Sequence, residues 1–329
     1  MKQEPATPLL EIRGLSVAVD TDEGQARILD RTNLTLMPGS IHGVVGESGC
    51  GKSTLMRAIL GILPKRGRAT EGSILLGGRD LLQLSPAVLQ SQIRGGQIGF
   101  IPQDPYQAFN PVFRVGTQLL ETTRARRGAG GEQGDSKANI ISLLKSVQLP
   151  DPERALDRYP HQFSGGQRQR LLIAAALASS PAIVLADEPT TALDVTTQLQ
   201  ILKLLRRLAE ERGLSMLFVT HDFGVVAQLC DTVTVMYAGQ TVESGPVSRI
   251  LAAPLHPYTR MLLACHPDRS AELAGIPGMV SSPLRPPSGC RFHPRCPSAS
   301  AECSKAMPPD TEHAGNQHVR CVLYRAEAA

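Results

Sequence analysis

The sequence lacks several features that would have fixed its class at once. It has no tryptophan, only 4% of its 329 residues are aromatic, and its first residues, MKQEPATPLLEIRG, contain no apolar core of a secretory signal. No run of about eighteen apolar residues is present, which is the length that a membrane-spanning helix needs. We therefore expect a soluble chain in a reducing compartment, where its seven cysteines serve as thiols or metal ligands.

The charge balance is equally undiagnostic. A net charge of +4, from 34 basic and 30 acidic residues, is too small to indicate nucleic-acid binding. The hydrophobic fraction of 42% is ordinary for a globular protein. The length allows one large domain and a smaller one.

Apolar stretches typical of strands alternate with helical patterns. Strands are predicted at residues 9–19, 33–37, 41–45, 98–101, 182–186 and 215–220, and helices at 53–62, 195–212 and 222–230, with a mostly helical region over 112–178 that is interrupted at 128–137. This alternation predicts an α/β core with a largely parallel sheet. From about residue 254 proline, cysteine and histidine become dense and periodicity ends, so we predict a domain boundary near residue 250.

A glycine-rich loop follows the strand at 41–45 and precedes a helix. It consists of Gly46, Glu47, Ser48, Gly49, Cys50, Gly51, Lys52, Ser53 and Thr54. This spacing is typical of a phosphate loop, in which backbone N–H groups and the helix N-terminus surround phosphate oxygens. Lys52 is expected to reach the β- and γ-phosphates of ATP, Ser53 to bind Mg²⁺ and Thr54 to contact the α-phosphate. The alternative is a plain glycine-rich turn.

Polar residues that follow other strands complete a predicted ATPase site. Asp187 ends an apolar strand and is placed to hold Mg²⁺, and Glu188 is placed to polarise the attacking water. Gln103 can sense Mg²⁺ or the water, and His221 can contact the γ-phosphate. The alternative for the two acids is capping of the next segment, and a lone Gln or His is more often structural.

A second anion-binding pattern precedes another helix, at Ser164, Gly165, Gly166 and Gln167. A serine and two glycines at a helix start present N–H groups to an anion. The alternative is an ordinary serine N-cap. Because one ATP does not need two phosphate cradles from one chain, the pattern predicts that the second cradle serves the ATP of a neighbouring subunit.

These motifs together resemble the ATP-binding-cassette (ABC) ATPases over residues 9–250. The resemblance includes the family signature at 163–167, with Phe163 in place of the usual Leu, and the segment Thr191 to Asp194. It implies a RecA-like phosphate-loop core, an antiparallel β subdomain and a helical subdomain at about 104–178. It also implies that two such domains close head-to-tail, with the signature and Asp194 of one facing the ATP of the other.

One position departs from the family pattern. ABC ATPases usually stack adenine on an aromatic residue near the end of the first strand. This sequence has Val19 near that place, and Ile28 is the nearest bulky alternative. The departure implies that adenine is held by aliphatic contact.

Three further motifs resemble the ATPase subunits of oligopeptide, dipeptide and nickel importers. They are Tyr159-Pro160-His161-Gln162, Asp104-Pro105 with Asn110-Pro111, and His256-Pro257-Tyr258-Thr259. The resemblance implies an ATPase at the cytoplasmic face of the cell membrane that powers uptake of di- or oligopeptides. Its implied partners are a second, related ATPase, two membrane permeases that contact residues 104–120, and an external binding protein. The alternatives are a nickel or other small-solute importer, a non-transport ABC ATPase and a regulatory subunit that binds ATP without hydrolysing it.

Four cysteines are concentrated near the C-terminus. Cys290, Cys296, Cys303 and Cys321 are separated by five, six and seventeen residues. Four thiolates suit zinc or an iron–sulfur cluster, and the wide gaps favour the cluster over zinc knuckles. A site without metal is the third alternative. The pattern resembles the C-terminal extension of dipeptide-importer ATPases, here residues 251–329, in some of which a [4Fe–4S] cluster is bound.

Overall fold

The computed structural model describes residues 7–127, 136–191, 193–265 and 275–324. The strands within these ranges are β1 (Leu10–Thr21), β2 (Gly24–Leu36), β3 (Ile41–Val45), β4 (Gly67–Leu76), β5 (Arg79–Asp80), β6 (Ile98–Ile101), β7 (Ile183–Asp187), β8 (Ser215–Thr220), β9 (Thr232–Tyr237), β10 (Gln240–Pro246), β11 (Thr311–His313) and β12 (Gln317–Val319). The α-helices are α1 (Lys52–Ile59), α2 (Pro86–Val88), α3 (Val115–Arg127), α4 (Ser136–Ser146), α5 (Pro152–Ala155), α6 (Gly165–Leu177), α7 (Val195–Arg212), α8 (Phe223–Leu229), α9 (Val247–Ala252) and α10 (Pro257–Ala264). Among these described residues no helix combines the length and apolarity that crossing a membrane requires.

The chain divides into two compact units. The first comprises Met1–Met37, Ile41–Leu82 and Val219–Ala329, and the second comprises Pro38–Ser40 and Gln83–Phe218. Residues on both sides of position 250 belong to the first unit, and the predicted boundary there stays a prediction. The predicted helical subdomain at 104–178 lies within the second unit and also stays a prediction.

The first unit contains two sets of strands. One is an antiparallel sheet in the order β2-β1-β4-β5, in which Leu10 pairs with Leu36 and Leu76. The other has the order β11-β12-β10-β9-β3, and only its β3–β9 pair is parallel. All five residues of β3 are buried, as expected for an apolar strand that is covered on both faces. The C-terminal part of this sheet is therefore antiparallel, which the largely parallel expectation missed.

A buried carboxylate joins the end of this unit to β10. Glu243 is 1% exposed and accepts hydrogen bonds from the backbone N–H groups of Leu255 and His256 and from Nε2 of Gln317. These bonds fasten the start of α10 and strand β12 to the sheet. A segment that was expected to lack periodicity therefore folds onto the sheet through specific polar contacts.

The second unit contains β6, β7 and the first four residues of β8, in the sheet order β8-β7-β6, together with α2 to α7. Strands β6 and β7 are parallel, and Ile98 pairs with Ile183. Helix α7 has the predicted bounds of 195–212 and ends at Gly213, whose φ of 60° is the left-handed conformation of a glycine C-cap. Leu202, Leu205 and Leu208 are buried in this helix, whereas Leu199 is 41% exposed. The helical region at 112–178 is divided into α3 to α6, and residues 128–135 lie outside the described ranges.

Candidate active site

The glycine-rich loop connects β3 to α1 in the first unit. A side chain at Gly46 would place its Cβ 2.1 Å from the carbonyl oxygen of Met236, so only glycine fits there. Gly51 has a φ of 103°, a conformation that side chains rarely adopt, and it is the N-cap of α1. The two glycines therefore allow a tight backbone turn that ends at the N-terminus of a helix, as phosphate binding requires.

The loop backbone curls around the ammonium group of Lys52. This side chain is buried, and its Nζ donates to the carbonyl oxygens of Gly46, at 2.7 Å, and of Glu47, at 3.2 Å. A cation at the centre of a glycine-rich turn, next to a helix N-terminus, produces a positive cradle that fits the phosphates of ATP. The residues present therefore fit the nucleotide that the sequence predicts.

The remaining loop residues differ in exposure. Ser48 and Gly49 are exposed, and Ser53 and Thr54 are half-buried at the start of α1. Cys50 is fully buried, and its burial raises the pKa of its thiol. A buried thiol with a raised pKa is poorly reactive, so we interpret Cys50 as a packing residue of the loop.

Two residues far along the chain hold the loop from outside, and sequence reasoning missed both. The backbone N–H of Glu47 donates to the hydroxyl of Tyr258 at 2.9 Å. The Glu47 carboxylate pairs with the guanidinium of Arg295 through two contacts, of 2.8 and 3.2 Å. Tyr258 lies in the His-Pro-Tyr-Thr motif, which drew attention to it without a role, whereas nothing in the sequence marks Arg295.

His221 also belongs to the first unit. It is exposed and directly follows β8. The next residue, Asp222, caps α8 by accepting the N–H of Gly224 at 2.7 Å. The structure thus fixes the backbone after His221, and the role of its side chain stays a prediction.

The predicted acids lie at the end of β7 in the second unit. Asp187 is the last residue of this strand and is 9% exposed. Glu188 follows with a φ of 45°, which is rare for a non-glycine residue. The hydroxyl of Thr191 donates to Oε2 of Glu188 at 3.1 Å, and the N–H of Thr191 donates to its carbonyl at 3.3 Å. The carboxylate of Glu188 is therefore held in one orientation by its own turn.

Gln103 is exposed and follows β6. Three residues later, the ring of Tyr106 lies beneath the guanidinium of Arg168, which is 4.2 Å from the ring centre. Arg168 lies in the first turn of α6, so this contact places the segment after Gln103 beside the signature motif.

Ser164 is the N-cap of α6. Its hydroxyl accepts the N–H of Gln167, and the Gln167 side chain accepts the N–H of Ser164, which together form a capping box. The ordinary N-cap expected as the alternative is therefore present in this chain. The first N–H groups of any helix have no partner within it, so this cap leaves the helix start able to bind an anion as well.

The start of α7 packs against the start of α6. A Cβ on Gly166 would lie 2.7 Å from Cγ2 of Thr197, and a Cβ on Gly165 would lie 3.8 Å from Leu193. Asp194 is the N-cap of α7, and its carboxylate accepts the N–H of Thr197 at 2.9 Å, a bond that lowers the pKa of Asp194. The structure thus brings the signature glycines and Asp194 together, while Ala192 lies outside the described residues.

The predicted site residues are therefore grouped within the two units. The first unit contains the phosphate loop and His221, and the second contains Gln103, the signature, the two acids and Asp194. The predicted magnesium ligands are likewise divided, with Ser53 in the first unit and Gln103 and Asp187 in the second, and this set stays a prediction. Val19 and Ile28 are both half-buried in the first unit, and neither is identified by the structure as an adenine contact.

The four C-terminal cysteines form a group in the first unit. The backbone N–H of Cys290 donates to the carbonyl of Cys303 at 2.9 Å. Burial, and to a smaller extent negative charge on the other three cysteines, raises the pKa of the Cys290 thiol to about 12. The backbone N–H two positions later offsets part of the rise in the pKa of Cys290, Cys296 and Cys321, and Sγ of Cys303 accepts the N–H of Ser300 at 3.4 Å. Within the described part of the chain, no three His, Cys, Asp or Glu side chains are placed to hold one metal ion.

Comparison with known proteins gives two family matches. The family described as ABC transporter matches residues 29–191, and the family described as the C-terminal region of oligopeptide/dipeptide transporters matches residues 242–303. A protein of Brucella melitensis named as a peptide import ATP-binding protein is 46% identical over 304 residues, covering 92% of this chain and 91% of its own. The oligopeptide transport ATP-binding protein OppD of Salmonella typhimurium is 42% identical, covering 93% of this chain and 91% of its own.

Solved structures agree with this result. The dimeric structure of the ABC transporter cassette MJ0796 superposes with a TM-score of 0.63 at 28% identity, covering 72% of this chain and 98% of that one. CbiO1 of Clostridium perfringens, described as part of an ABC transporter complex, gives a TM-score of 0.63 at 26% identity, covering 75% of this chain and 91% of that one.

Proposed function

The chain belongs to the ABC transporter family of ATP-hydrolysing proteins, and on this premise we propose that it powers the import of di- and oligopeptides across the cytoplasmic membrane. The observation that carries the proposal is the combination of both family matches in one chain, an ATPase cassette at 29–191 and an oligopeptide/dipeptide transporter C-terminal region at 242–303. Its relatives named for peptide import cover more than nine-tenths of the chain.

The site residues divide the chemistry of ATP hydrolysis among them. Lys52 binds the β- and γ-phosphates, within a cradle built by residues 46–54. Ser53, Asp187 and Gln103 would hold Mg²⁺, which neutralises charge on the phosphates when it is bound. Glu188 orients and polarises the attacking water, and Thr191 holds its carboxylate in place. His221 contacts the γ-phosphate.

We propose that the site is completed by a second, related ATPase. The start of α6 and the N-cap of α7 form one surface, since Gly166 packs directly on Thr197. That surface combines helix N–H groups with Asp194, and we assign Ser164, Gly165, Gly166, Gln167 and Asp194 to the ATP bound by the partner. A dimer of two ATPases then closes on ATP and reopens after hydrolysis. This requires that ATP bind the closed dimer more tightly than the open one, since a ligand shifts a conformational equilibrium only by its different affinity for the two states.

We propose that the segment after Gln103 contacts the membrane permeases. It exposes three large apolar side chains, since Tyr106 is 59%, Val112 is 69% and Phe113 is 52% exposed. Exposed apolar residues grouped within eight positions are typical of a docking surface. In this arrangement the chain is a peripheral protein at the cytoplasmic face, with two permeases and an external binding protein as its partners.

We propose that Cys290, Cys296, Cys303 and Cys321 hold a [4Fe–4S] cluster, with zinc as the alternative. The support is the donor set, four cysteine thiols close enough for charge on three of them to raise the pKa of Cys290, because cysteine thiolates are the usual ligands of such clusters. Anaerobically purified protein should absorb light at about 400 nm, where cysteine-ligated iron–sulfur clusters absorb. A colourless sample that contains zinc would overturn this assignment.

Copurification tests the transport function. The full-length chain, tagged and isolated from membranes in mild detergent, should bring with it two permeases and a second ABC ATPase. Ribosomes or DNA in their place would identify a non-transport ATPase. Stimulation of ATP hydrolysis in that assembly by a nickel-loaded binding protein, and not by a peptide-loaded one, would identify a nickel importer instead.

A further inference from the structure

The phosphate loop contains an acid that needs a counter-charge. Glu47 is the second residue of a loop whose ligand is a polyanion, and its side chain is 25% exposed. An unneutralised carboxylate so close to the phosphates would repel them, since like charges at short range raise the free energy of the bound state. The residue that supplies the counter-charge is Arg295, whose guanidinium meets Glu47 through two nitrogen–oxygen contacts.

Contacts with groups other than Glu47 also hold the guanidinium of Arg295 in place. The side chain is 5% exposed, its Nε donates to the carbonyl of Pro277 at 2.8 Å, and a terminal nitrogen donates to the carbonyl of Ile276 at 2.9 Å. A third bond, of 3.2 Å, joins it to the hydroxyl of Tyr237. A fork-shaped group with this many partners is already ordered, so little side-chain entropy is lost in pairing with a carboxylate. The pair is thus unlike an exposed surface salt bridge, whose contribution is small.

The backbone of Glu47 is hydrogen-bonded to the side chain of Lys52. The carbonyl of Glu47 accepts from Nζ of Lys52 at 3.2 Å and from the N–H of Cys50 at 3.2 Å. The position of Glu47 therefore sets part of the position of the phosphate-binding ammonium. Arg295 lies between Cys290 and Cys296 in the sequence. Its contact with Glu47 therefore joins the cysteine-rich segment to the phosphate loop.

We propose that Arg295 is a positioning residue for ATP, which neutralises and fixes Glu47 and thereby makes ATP affinity depend on the cysteine-rich C-terminal segment. This inference rests on the proposed use of residues 46–54 as the phosphate cradle. It assigns that segment a role in the nucleotide site that holds whatever group the cysteines bind.

The test is ATP affinity of the full-length chain, measured by equilibrium binding at low and high salt. Arg295→Met should weaken ATP binding by about tenfold, because it leaves the half-buried carboxylate of Glu47 in the phosphate loop without its partner. The loss should shrink at high salt, which screens the repulsion. Adding Glu47→Gln to Arg295→Met should restore most of the affinity, since the double variant removes both charges.

Two further variants separate this role from simple stabilisation. Arg320→Met removes another buried arginine of the same segment, one that donates to the carbonyl of Arg31 and not to the loop, and it should leave ATP affinity unchanged. Arg295→Lys keeps the charge without the fork and should weaken binding by only about two- to threefold, which provides a folded variant if Arg295→Met does not fold.

The outcomes distinguish this inference from the function on which it rests. If the wild-type chain binds ATP and Arg295→Met or Arg295→Lys binds it equally well, the inference is wrong and the proposed function stands. Failure of Glu47→Gln to restore affinity, or an equal loss in Arg320→Met, would also overturn it. If the wild-type chain itself binds no ATP, the phosphate cradle is wrong and the inference falls with it.

Discussion

At the scale of single residues, the backbone of Glu188 is the feature that ties structure to chemistry. Its φ of 45° is costly for a residue with a side chain, and such conformations persist where surrounding contacts enforce them. Thr191 supplies those contacts through both its hydroxyl and its N–H. The motif predicts an acid at this position, but the strained conformation and the partner that enforces it are visible only in the structure.

The direct prediction for this residue concerns turnover. Glu188→Gln keeps the size of the side chain and removes its negative charge, so ATP should still bind while hydrolysis falls on the order of 10²- to 10⁴-fold, the range for loss of a general base. Steady-state phosphate release, with ATP binding measured in parallel, checks this. Glu210→Gln, which removes an exposed acid of α7 that is paired with Arg206, is the control and should hydrolyse ATP normally. Undiminished hydrolysis by Glu188→Gln would refute the role of Glu188.

A buried histidine gives the fold a pH dependence. His42 in β3 is 4% exposed, and its ring nitrogens lie 2.7 and 2.8 Å from the hydroxyls of Thr232 and Thr234. Burial lowers the pKa of His42 to about 4 from its ordinary 6.5. Between these values the unfolded chain binds a proton that the folded chain does not, so folding stability falls as the pH drops from 6.5 towards 4.

Urea unfolding at pH 7.5 and pH 5 measures this contribution. One histidine with this pKa should cost about 2 kcal/mol of stability over that interval. His42→Gln, although less stable at pH 7.5, should lose correspondingly less on acidification, and the exposed His161→Gln should behave as wild type. An identical loss in wild type and His42→Gln would show that other groups cause it.

At the scale of elements, the structure joins the signature helix to the helix that follows the catalytic strand. Gly166 in α6 leaves room for the methyl group of Thr197 in α7, at a distance that no Cβ would tolerate. This contact aligns the two helix starts that the proposed function assigns to the ATP of the partner. It also explains in packing terms why glycine is needed at this position in addition to any ligand.

A suppressor experiment tests this contact. Gly166→Ala should destabilise the full chain by about 1–3 kcal/mol, the usual cost of overpacking. Thr197→Ser removes the clashing methyl and keeps the hydroxyl, so the Gly166→Ala, Thr197→Ser double variant should recover most of the loss. Thermal or chemical unfolding measures both. If Thr197→Ser does not rescue Gly166→Ala, the two helices do not meet as described.

Local patterns explain which elements the sequence could predict. Strand β6, helix α7 and strand β8 have the predicted bounds because each is a continuous apolar run or a regular helical repeat. Strands β9 to β12 and helix α10 were missed. The start of α10 and strand β12 are held by Glu243 of β10, a partner that no local pattern identifies. Proline and histidine in α10 concealed its helix, although Pro257 at the first position is favourable there.

At the scale of the whole molecule, the phosphate loop depends on residues more than two hundred positions away. The Glu47–Tyr258 bond spans 211 positions and the Glu47–Arg295 pair spans 248. The phosphate loop could be predicted because its chemistry is contained within nine consecutive residues, 46–54. The contacts of Tyr258 and Arg295 with Glu47 could not be predicted, because a local sequence pattern does not indicate which distant side chain will lie against the loop. The C-terminal region therefore contacts the phosphate loop within the first unit.

Peptide uptake by the reconstituted assembly tests the central claim most directly. Proteoliposomes that contain this chain with its copurified partners, with ATP and Mg²⁺ enclosed and the binding protein outside, are supplied with a labelled di- or oligopeptide. We predict accumulation of the peptide with the wild-type chain, and none when ATP is omitted or when the chain carries Glu188→Gln. Uptake at the wild-type rate by the Glu188→Gln assembly, or no ATP-dependent uptake by the wild-type assembly, would contradict the account.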